Sequence, residues 1–211
     1  MIRVYAVNVG QMNPQTYETL YKNASKERKL RADKCRQREN AYTCIAAEAL
    51  LRYAVKTHLH TKEYTLETNA YGKPRIKENP DFHFNISHSG NWVVFACGNS
   101  EVGIDLEIFR TDDKKEKVAR RFFSDAEQQF VFQTEEDMHK RFFQIWTAKE
   151  SYLKFLGTGL QTPLTSFDVC TMTQPHFFTH WMTDNCMTLC SVEEAYQMEL
   201  LQPEQLMESW L

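Results

Sequence analysis

Two carboxylates stand two positions apart in the segment Val102–Ile108, VGIDLEI. Apolar residues alternate there with Gly103, Asp105 and Glu107, which predicts a half-buried β-strand. The alternation places Asp105 and Glu107 on one face, while the aliphatic side chains enter the core. Two adjacent acids repel each other unless a cation lies between them, and Mg²⁺ binds through one or two carboxylates together with substrate phosphates and water. The pair therefore indicates a Mg²⁺ site; the alternative is the solvated face of an edge strand.

A third carboxylate and a lysine, Glu150 and Lys154, lie four positions apart in a segment that predicts one long helix from Asp137 to Leu156. Residues at this spacing project from the same face of a helix. Such a pair is most often a surface ion pair that contributes about 0.3 kcal/mol. If the helix packs near Asp105, Glu150 supplies a third oxygen ligand for the metal and Lys154 an ammonium group for a phosphate.

The segment Asn85–Gly90, NISHSG, follows a predicted strand and ends in glycine, so it predicts a turn crowded with hydrogen-bond donors. The hydroxyl group of Ser87 and the imidazole of His88 suit an anion. A plain polar hairpin turn is the alternative. A serine nucleophile is a weaker one, because the Gly-x-Ser-x-Gly pattern is lacking. Lys73, within YGKP, is predicted to lie in a rigid, exposed turn, where it is either a fixed cation near a phosphate or simply part of the turn.

Basic residues dominate positions 22–38; they are Lys22, Lys26, Arg28, Lys29, Arg31, Lys34, Arg36 and Arg38. A run of this kind is usually a solvated helix face. Nucleic-acid binding is a second interpretation, but no aromatic residues are interleaved in the run for base stacking. A third interpretation is a site for a small anion with more than one phosphate, since Arg28 and Arg31 lie on one side of a predicted helix.

The elements that must position these residues occur twice in the same order, helices first and short strands after them. The first set comprises a strand over residues 2–9, helices within 14–60 and strands over 64–68, 82–86, 92–97 and 102–108. The second set begins with three helices, one over 114–123, one that starts at a capping box at 124–127, and one over 137–156. Four strands follow, over 166–170, 176–182, 187–192 and 196–201, and the set ends with a short helix over 204–210. We therefore predict an α+β fold with two halves, residues 1–108 and 109–211, that join near Phe109–Asp113 and hold the ligand in the cleft between them.

The composition is that of an ordinary globular protein, with 42% hydrophobic and 25% charged residues among 211. The start of the chain lacks the pattern of a signal peptide and no apolar run reaches membrane-spanning length, so we expect a cytoplasmic protein with no membrane partner. The six cysteines are then expected to be free thiols. The spacing of His176, His180, Cys186 and Cys190 matches no zinc pattern. A net charge of −3 gives no general attraction to nucleic acid.

Five segments, in this order, resemble the Sfp-type 4′-phosphopantetheinyl transferases of the holo-carrier-protein synthase superfamily: YGKP, FNISHSG, VGIDLE, RFFSDAE and WTAKESYLK. The resemblance extends from SKERKLRADKCR to the GTGL turn and fades beyond it. It implies two similar α+β halves, with helices packed on small antiparallel sheets, related by a pseudo-twofold axis. It also implies a Mg²⁺-dependent transfer of 4′-phosphopantetheine from coenzyme A to a serine of an acyl or peptidyl carrier protein, with release of adenosine 3′,5′-bisphosphate. A monomer is implied, while the identity of the carrier stays open.

The resemblance also assigns roles to individual residues. Asp105, Glu107 and Glu150 are implied to bind Mg²⁺, and Glu150, Lys154 and Asp105 to be catalytic. Glu150 is the candidate base for the carrier serine, with Glu127 as a weaker rival. The phosphates of coenzyme A are implied to contact polar and basic side chains from several segments, namely Arg28, Arg31, Lys73, Ser87, His88 and Lys154.

Two other classes of function compete with the enzyme. One is a non-catalytic module that binds carrier proteins through the same fold. The presence of all three acids argues against it, because a degenerate site would be expected to have lost one. The other is a nucleic-acid binder that uses residues 22–38, which the balance of charge disfavours.

Overall fold

The protein is described here by a computed structural model that covers residues 1–109 and 114–210. Helices and strands are both frequent within these ranges, which confirms the α+β class. Most of the predicted join, Phe109–Asp113, falls outside the described residues. The division into halves at residue 108 and the pseudo-twofold axis stay predictions. No helix within the described ranges combines the length and the apolar character needed to cross a bilayer.

A four-stranded sheet forms the larger core. Its strands are β1 (Ile2–Asn8), β4 (His83–Ser89), β5 (Trp92–Gly98) and β9 (Tyr196–Leu201), and they lie in the order β4-β5-β1-β9. β5 pairs antiparallel with β1 and β4, whereas β9 pairs parallel with β1. The predicted antiparallel pairing therefore has one exception, and the sheet takes a strand from near the end of the chain. β1 is apolar on both faces and almost wholly buried, as a central strand should be.

Three helices cover much of the predicted helical span between residues 14 and 60: α1 (Pro14–Asn23), α2 (Lys26–Asp33) and α3 (Arg38–Leu59). The first two begin at polar caps, since the side chain of Asn13 accepts from Thr16 N and that of Ser25 from Arg28 N. α3 buries one face against the sheet, where Ile45 joins the main core. A small antiparallel hairpin follows, formed by β2 (Leu66–Thr68) and β3 (Pro74–Ile76).

The second sheet has three antiparallel strands, β6 (Val102–Ile108), β7 (His176–Met182) and β8 (Asn185–Ser191). They lie in the order β6-β8-β7, with β6 at one edge. Helices α4 (Lys115–Phe122), α5 (Asp125–Val131) and α6 (Met138–Leu156) accompany them, and α6 lies against β6 and β8. The predicted capping box at Ser124 and Glu127 is confirmed. α6 ends, as predicted, at Gly157, whose φ of +65° lies in the left-handed region that glycine adopts most readily.

Two predictions about the last third of the chain are wrong in detail. Residues 166–170 are not a strand, because their backbone groups bond to side chains instead of to a neighbouring strand. Lys149 Nζ donates to Phe167 O at 2.9 Å, and Val169 N donates to Glu127 Oε1 at 2.8 Å. Asp168 Oδ1 likewise accepts from Cys170 N at 2.8 Å, which forms a tight turn. The terminal helix is a 3₁₀ helix, Pro203–Ser209.

Candidate active site

Helix α6 packs directly on strand β6 because Gly103 has no side chain. A Cβ atom at this position would overlap the carbonyl oxygen of Ser151 and the backbone nitrogen of Phe155. Glycine is therefore needed for the close approach of the two backbones. The consequence for the site is that the polar face of α6, with Glu150 and Lys154, lies next to the acidic end of β6.

Lys154 is the ion-pair partner of Asp105, with 2.7 Å between Nζ and Oδ1. Its ammonium group also donates to Ser87 Oγ at 2.9 Å and to the carbonyl oxygen of Ile104 at 3.0 Å. The three donors of the ammonium group are thus matched by three protein acceptors. In this arrangement Lys154 positions Asp105, and its contact with a phosphate stays a prediction.

The other carboxylate oxygen of Asp105 is available to a ligand. Asp105 is buried, and Oδ2 finds no hydrogen-bond partner within residues 1–109 and 114–210. Leaving a buried polar atom unpaired costs about 1–3 kcal/mol, and more for a charged group. A divalent cation with a preference for oxygen ligands fits this atom, because it would compensate both the charge and the missing contact.

The other two predicted metal ligands lie close to Asp105. Glu107 Oε2 accepts from Ser89 Oγ at 3.3 Å. The pKa of Glu150 is raised, first by burial and then by the negative charge of Asp105, with a further contribution from Glu107 and an opposing one from Lys154. Glu150 therefore lies within electrostatic reach of both acids of β6. Within the described part of the chain, no three acidic, histidine or cysteine side chains are already arranged around a common point, so the shared metal ion stays a prediction.

The predicted turn at residues 85–90 is wrong, because residues 85–89 belong to β4 and only Gly90 lies in the turn. Alternate side chains of β4 accept hydrogen bonds from alternate backbone N–H groups of β6: Asn85 Oδ1 from Ile104 (2.9 Å), Ser87 Oγ from Leu106 (3.3 Å) and Ser89 Oγ from Ile108 (2.9 Å). These N–H groups lie on the edge of the three-stranded sheet, where side chains replace a strand partner. This ladder joins the two sheets at the strand that carries Asp105 and Glu107. Period-two spacing of Asn, Ser and Ser was the signal that could have revealed it.

Ser87 and His88 point to opposite faces of β4 and differ in their surroundings. Ser87 is buried, and its hydroxyl group also donates to Asp105 Oδ1 at 3.2 Å. It therefore positions the carboxylate as part of the ladder. His88 is exposed, but its pKa is lowered, first by partial desolvation and then by the positive charges of Lys154 and Arg28. His88 thus lies within electrostatic reach of Lys154 on α6 and of Arg28 on α2.

Lys73 is not exposed as predicted, since only 13% of its side chain is accessible. Its Nζ donates to Glu101 Oε2 at 2.6 Å, to Val102 O at 3.1 Å and to Phe155 O at 3.0 Å. Asn69 adds a fourth bond across the same junction, from Nδ2 to Gly157 O at 2.9 Å. The YGKP turn is therefore fastened to the end of α6, and Lys73 would have to release a protein acceptor to bind a phosphate.

Arg28 and Arg31 line a large cavity of about 1210 Å³ between α2, α3 and the segment that follows α3. A smaller cavity of about 320 Å³ is lined by Glu150, Lys154 and Asn85. Gly72 and Pro74 line both cavities, so the YGKP turn separates the two arginines from the acidic centre. The large cavity is lined by basic side chains (Arg28, Arg31, Arg52 and Lys62) and by acidic ones (Glu27, Glu48, Glu63 and Glu78), and the smaller cavity by Lys73, Glu150 and Lys154. The two neighbouring cavities are called the groove below.

Glu127, the rival base, lies outside this groove. Its two carboxylate oxygens each accept from Lys149 Nζ at 2.7 Å, and both side chains are fully buried. Burial lowers the pKa of Lys149, and the charge of Glu127 opposes that shift. The pair fastens α5 and residues 167–169 to α6, so Glu127 serves packing and has no access to a substrate.

Two family models match consecutive parts of the chain. The family model for the 4′-phosphopantetheinyl transferase superfamily matches residues 101–201, and the model for the N-terminal part of a 4′-phosphopantetheinyl transferase matches residues 11–100. A 4′-phosphopantetheinyl transferase of Bacillus pumilus is 32% identical over 173 residues, 79% of this chain and 73% of that protein. The chain belongs to the 4′-phosphopantetheinyl transferase superfamily. The family resemblance inferred from the five segments is thereby confirmed.

Two further relatives of this chain share the same name. The 4′-phosphopantetheinyl transferase Sfp of Bacillus subtilis (strain 168) is 37% identical over 143 residues, 65% of this chain and 63% of that protein. The corresponding protein of Aneurinibacillus migulanus is 34% identical over 171 residues, 79% of this chain and 70% of that protein. The match to Sfp thus spans less than two thirds of its length.

Proposed function

We propose that this protein transfers 4′-phosphopantetheine from coenzyme A to a serine hydroxyl of an acyl or peptidyl carrier protein. The observation that carries this proposal is the buried carboxylate of Asp105, which is held by Lys154 through one oxygen, has an unpaired second oxygen and lies near Glu150. An oxygen site of this kind, beside cavities lined by Lys154, Arg28 and Arg31, suits a pyrophosphate ligand. We further propose that the protein acts as a monomer in the cytoplasm.

Asp105, Glu107 and Glu150 would hold Mg²⁺ in this proposal. Bound there, the ion supplies positive charge to the pyrophosphate oxygens of coenzyme A. Lys154 orients the carboxylate of Asp105 by donating to its Oδ1, and Ser87 donates to the same oxygen. The donor set is wholly oxygen, which matches the preference of Mg²⁺.

The reaction itself is a phosphoryl transfer, which requires a nucleophile held in line and charge stabilised on the phosphorus oxygens. The serine oxygen forms a bond to the phosphorus that carries pantetheine, and the bond to adenosine 3′,5′-bisphosphate breaks. We assign Glu150 as the base that takes the serine proton, because it lines the smaller cavity beside Lys154. Arg28 and Arg31 bind the 3′-phosphate at the far end of the groove, with His88 nearby.

Mass spectrometry of an apo carrier protein tests this function directly. Incubation with coenzyme A and Mg²⁺ is expected to add one phosphopantetheine group, and a carrier whose acceptor serine is replaced by alanine should gain nothing. A panel of fatty-acid, polyketide and nonribosomal-peptide carriers would identify the class that is served. If the carriers bind in a pull-down experiment but none gains mass, the non-catalytic binding module is favoured instead.

Coenzyme A binding is expected to involve proton uptake by His88. The pKa of this residue is lowered from its ordinary 6.5, so the free protein carries it neutral at pH 7. A phosphate beside the ring stabilises the imidazolium and raises the pKa again, so binding takes up protons and this contribution to affinity grows as the pH falls toward 6. Calorimetry at about pH 6.5, in two buffers of different ionisation enthalpy, measures the uptake.

The matched variant for this measurement is His88→Gln, which preserves a polar side chain without titrating. The phosphate of coenzyme A also titrates near pH 6, so the difference between the two proteins is the quantity of interest. Uptake that is equal in both proteins would show that His88 does not face a phosphate.

A further inference from the structure

Glu48 is a buried acid at the base of the basic helix α2. Only 7% of its side chain is exposed, and it accepts from Ser25 N at 3.0 Å and from Ser25 Oγ at 2.8 Å. Ser25 is the cap of α2, and its Oγ accepts in turn from Arg28 N. Glu48 therefore anchors the first turn of the helix that carries Arg28 and Arg31.

Two arginines compete for the charge of Glu48. Arg52 makes the close contact, with Nε at 2.9 Å and Nη2 at 2.8 Å from Oε1. Arg28 stands further away, with Nε at 3.8 Å from Oε2. The difference means that Arg52 carries most of the pairing. Arg28, Glu48 and Arg52 all line the large cavity, so a change in the pairing acts directly at its wall.

Arg52 is itself held in place by aromatic rings. Its guanidinium carbon lies 4.1 Å from the centre of the Trp210 ring and 5.8 Å from that of Tyr64. Such stacking restricts a long side chain that would otherwise sample many rotamers. The C-terminal 3₁₀ helix brings Trp210 to this position and is tied to α3, since Lys56 Nζ donates to Glu208 O at 2.9 Å.

We infer that Arg52, held by Trp210, is a positioning residue that keeps Arg28 available for the 3′-phosphate of coenzyme A. Without Arg52, the uncompensated charge of Glu48 draws Arg28 into a close ion pair and away from the cavity. The inference rests on the proposed function, because it takes Arg28 to be a phosphate ligand. It concerns the affinity for one end of coenzyme A and leaves the chemical step untouched.

The test compares coenzyme A with 3′-dephospho-coenzyme A as substrates and, by calorimetry, as ligands. Arg52→Met is expected to raise the KM and Kd for coenzyme A about fivefold. The kcat and both constants for the dephospho compound should stay within about a factor of two of wild type. Lys56→Met is the matched control, since it removes another cation of α3 that contacts the 3₁₀ helix but not Glu48. It should change the affinity for neither ligand.

The decisive variant adds Glu48→Gln to Arg52→Met. Removing the charge of Glu48 frees Arg28 again, so the double variant should regain an affinity for coenzyme A close to that of wild type. A purely structural role of Arg52 would not be rescued in this way. If Arg52→Met does not fold, Arg52→Gln, which also removes the charge but keeps a polar side chain, is the second variant; it should weaken the binding of coenzyme A alone, and Glu48→Gln should restore that binding.

Three results would overturn the inference: Arg52→Met weakens the binding of both ligands equally, it changes the affinity for neither ligand, or Glu48→Gln does not restore the binding of coenzyme A. Failure of the proposed function looks different, because wild type would then transfer no phosphopantetheine or bind the two ligands equally well. Calorimetry keeps the outcomes distinguishable even if no carrier is modified.

Discussion

Replacing Asp105 by asparagine is expected to lower the rate of phosphopantetheine transfer by about 1000-fold. The amide matches the shape of the carboxylate but carries no charge, so the buried position that now has an unpaired oxygen can no longer attract a divalent cation. The substitution also removes the counter-charge of Lys154, whose Nζ lies 2.7 Å from Oδ1. Both effects act at the same end of the groove. The rate is measured by mass spectrometry of the carrier, and Mg²⁺ affinity by calorimetry with coenzyme A present.

Asp81→Asn is the matched control for this experiment, because Asp81 is exposed and remote from β6 in sequence. It should leave the rate and the Mg²⁺ affinity unchanged. Near wild-type turnover of Asp105→Asn, with the protein folded by circular dichroism, would remove Asp105 from the metal site. A lost rate with an unchanged Mg²⁺ affinity would restrict its role to holding Lys154.

Gly103→Ala is expected to lower the free energy of unfolding by more than about 4 kcal/mol. The new methyl group would overlap the backbone of α6 at Ser151 and Phe155. A side chain can rotate away from such a contact, but the backbone of a helix can move only as a whole. Any shift of α6 also separates Lys154 from Asp105, so the transfer rate should fall together with the stability. Denaturant unfolding measures the stability.

Gly98→Ala provides the comparison, because it also adds a methyl group to a glycine of a strand. There the nearest atom is Cδ1 of Ile2, the end of a flexible side chain, so the cost should be only about 1–2 kcal/mol. Equal effects of the two substitutions would show that the contact between α6 and β6 is not specially tight.

Local patterns in the sequence predicted the elements that carry the site. The alternation in VGIDLEI gave β6 its bounds, and the capping box at Ser124 and the glycine at 157 marked helix ends correctly. These features depend on interactions between residues a few positions apart, and such interactions can be recognised within a single segment of the sequence. The same holds for the shared helix face of Glu150 and Lys154.

Contacts between segments that are far apart in sequence could not be predicted and became visible only in the fold. The parallel pairing of β9 with β1, the ladder from β4 to β6 and the fastening of Lys73 to the end of α6 all belong to this class. Side chains bond there to the backbone of another segment, and no periodicity within either segment records the partner. For the same reason, the charged residues and the faces on which they lie could be predicted from single segments. Which of those charges are paired, and which oxygen of Asp105 is left for a ligand, depends on partners from distant segments and is therefore visible only in the folded chain.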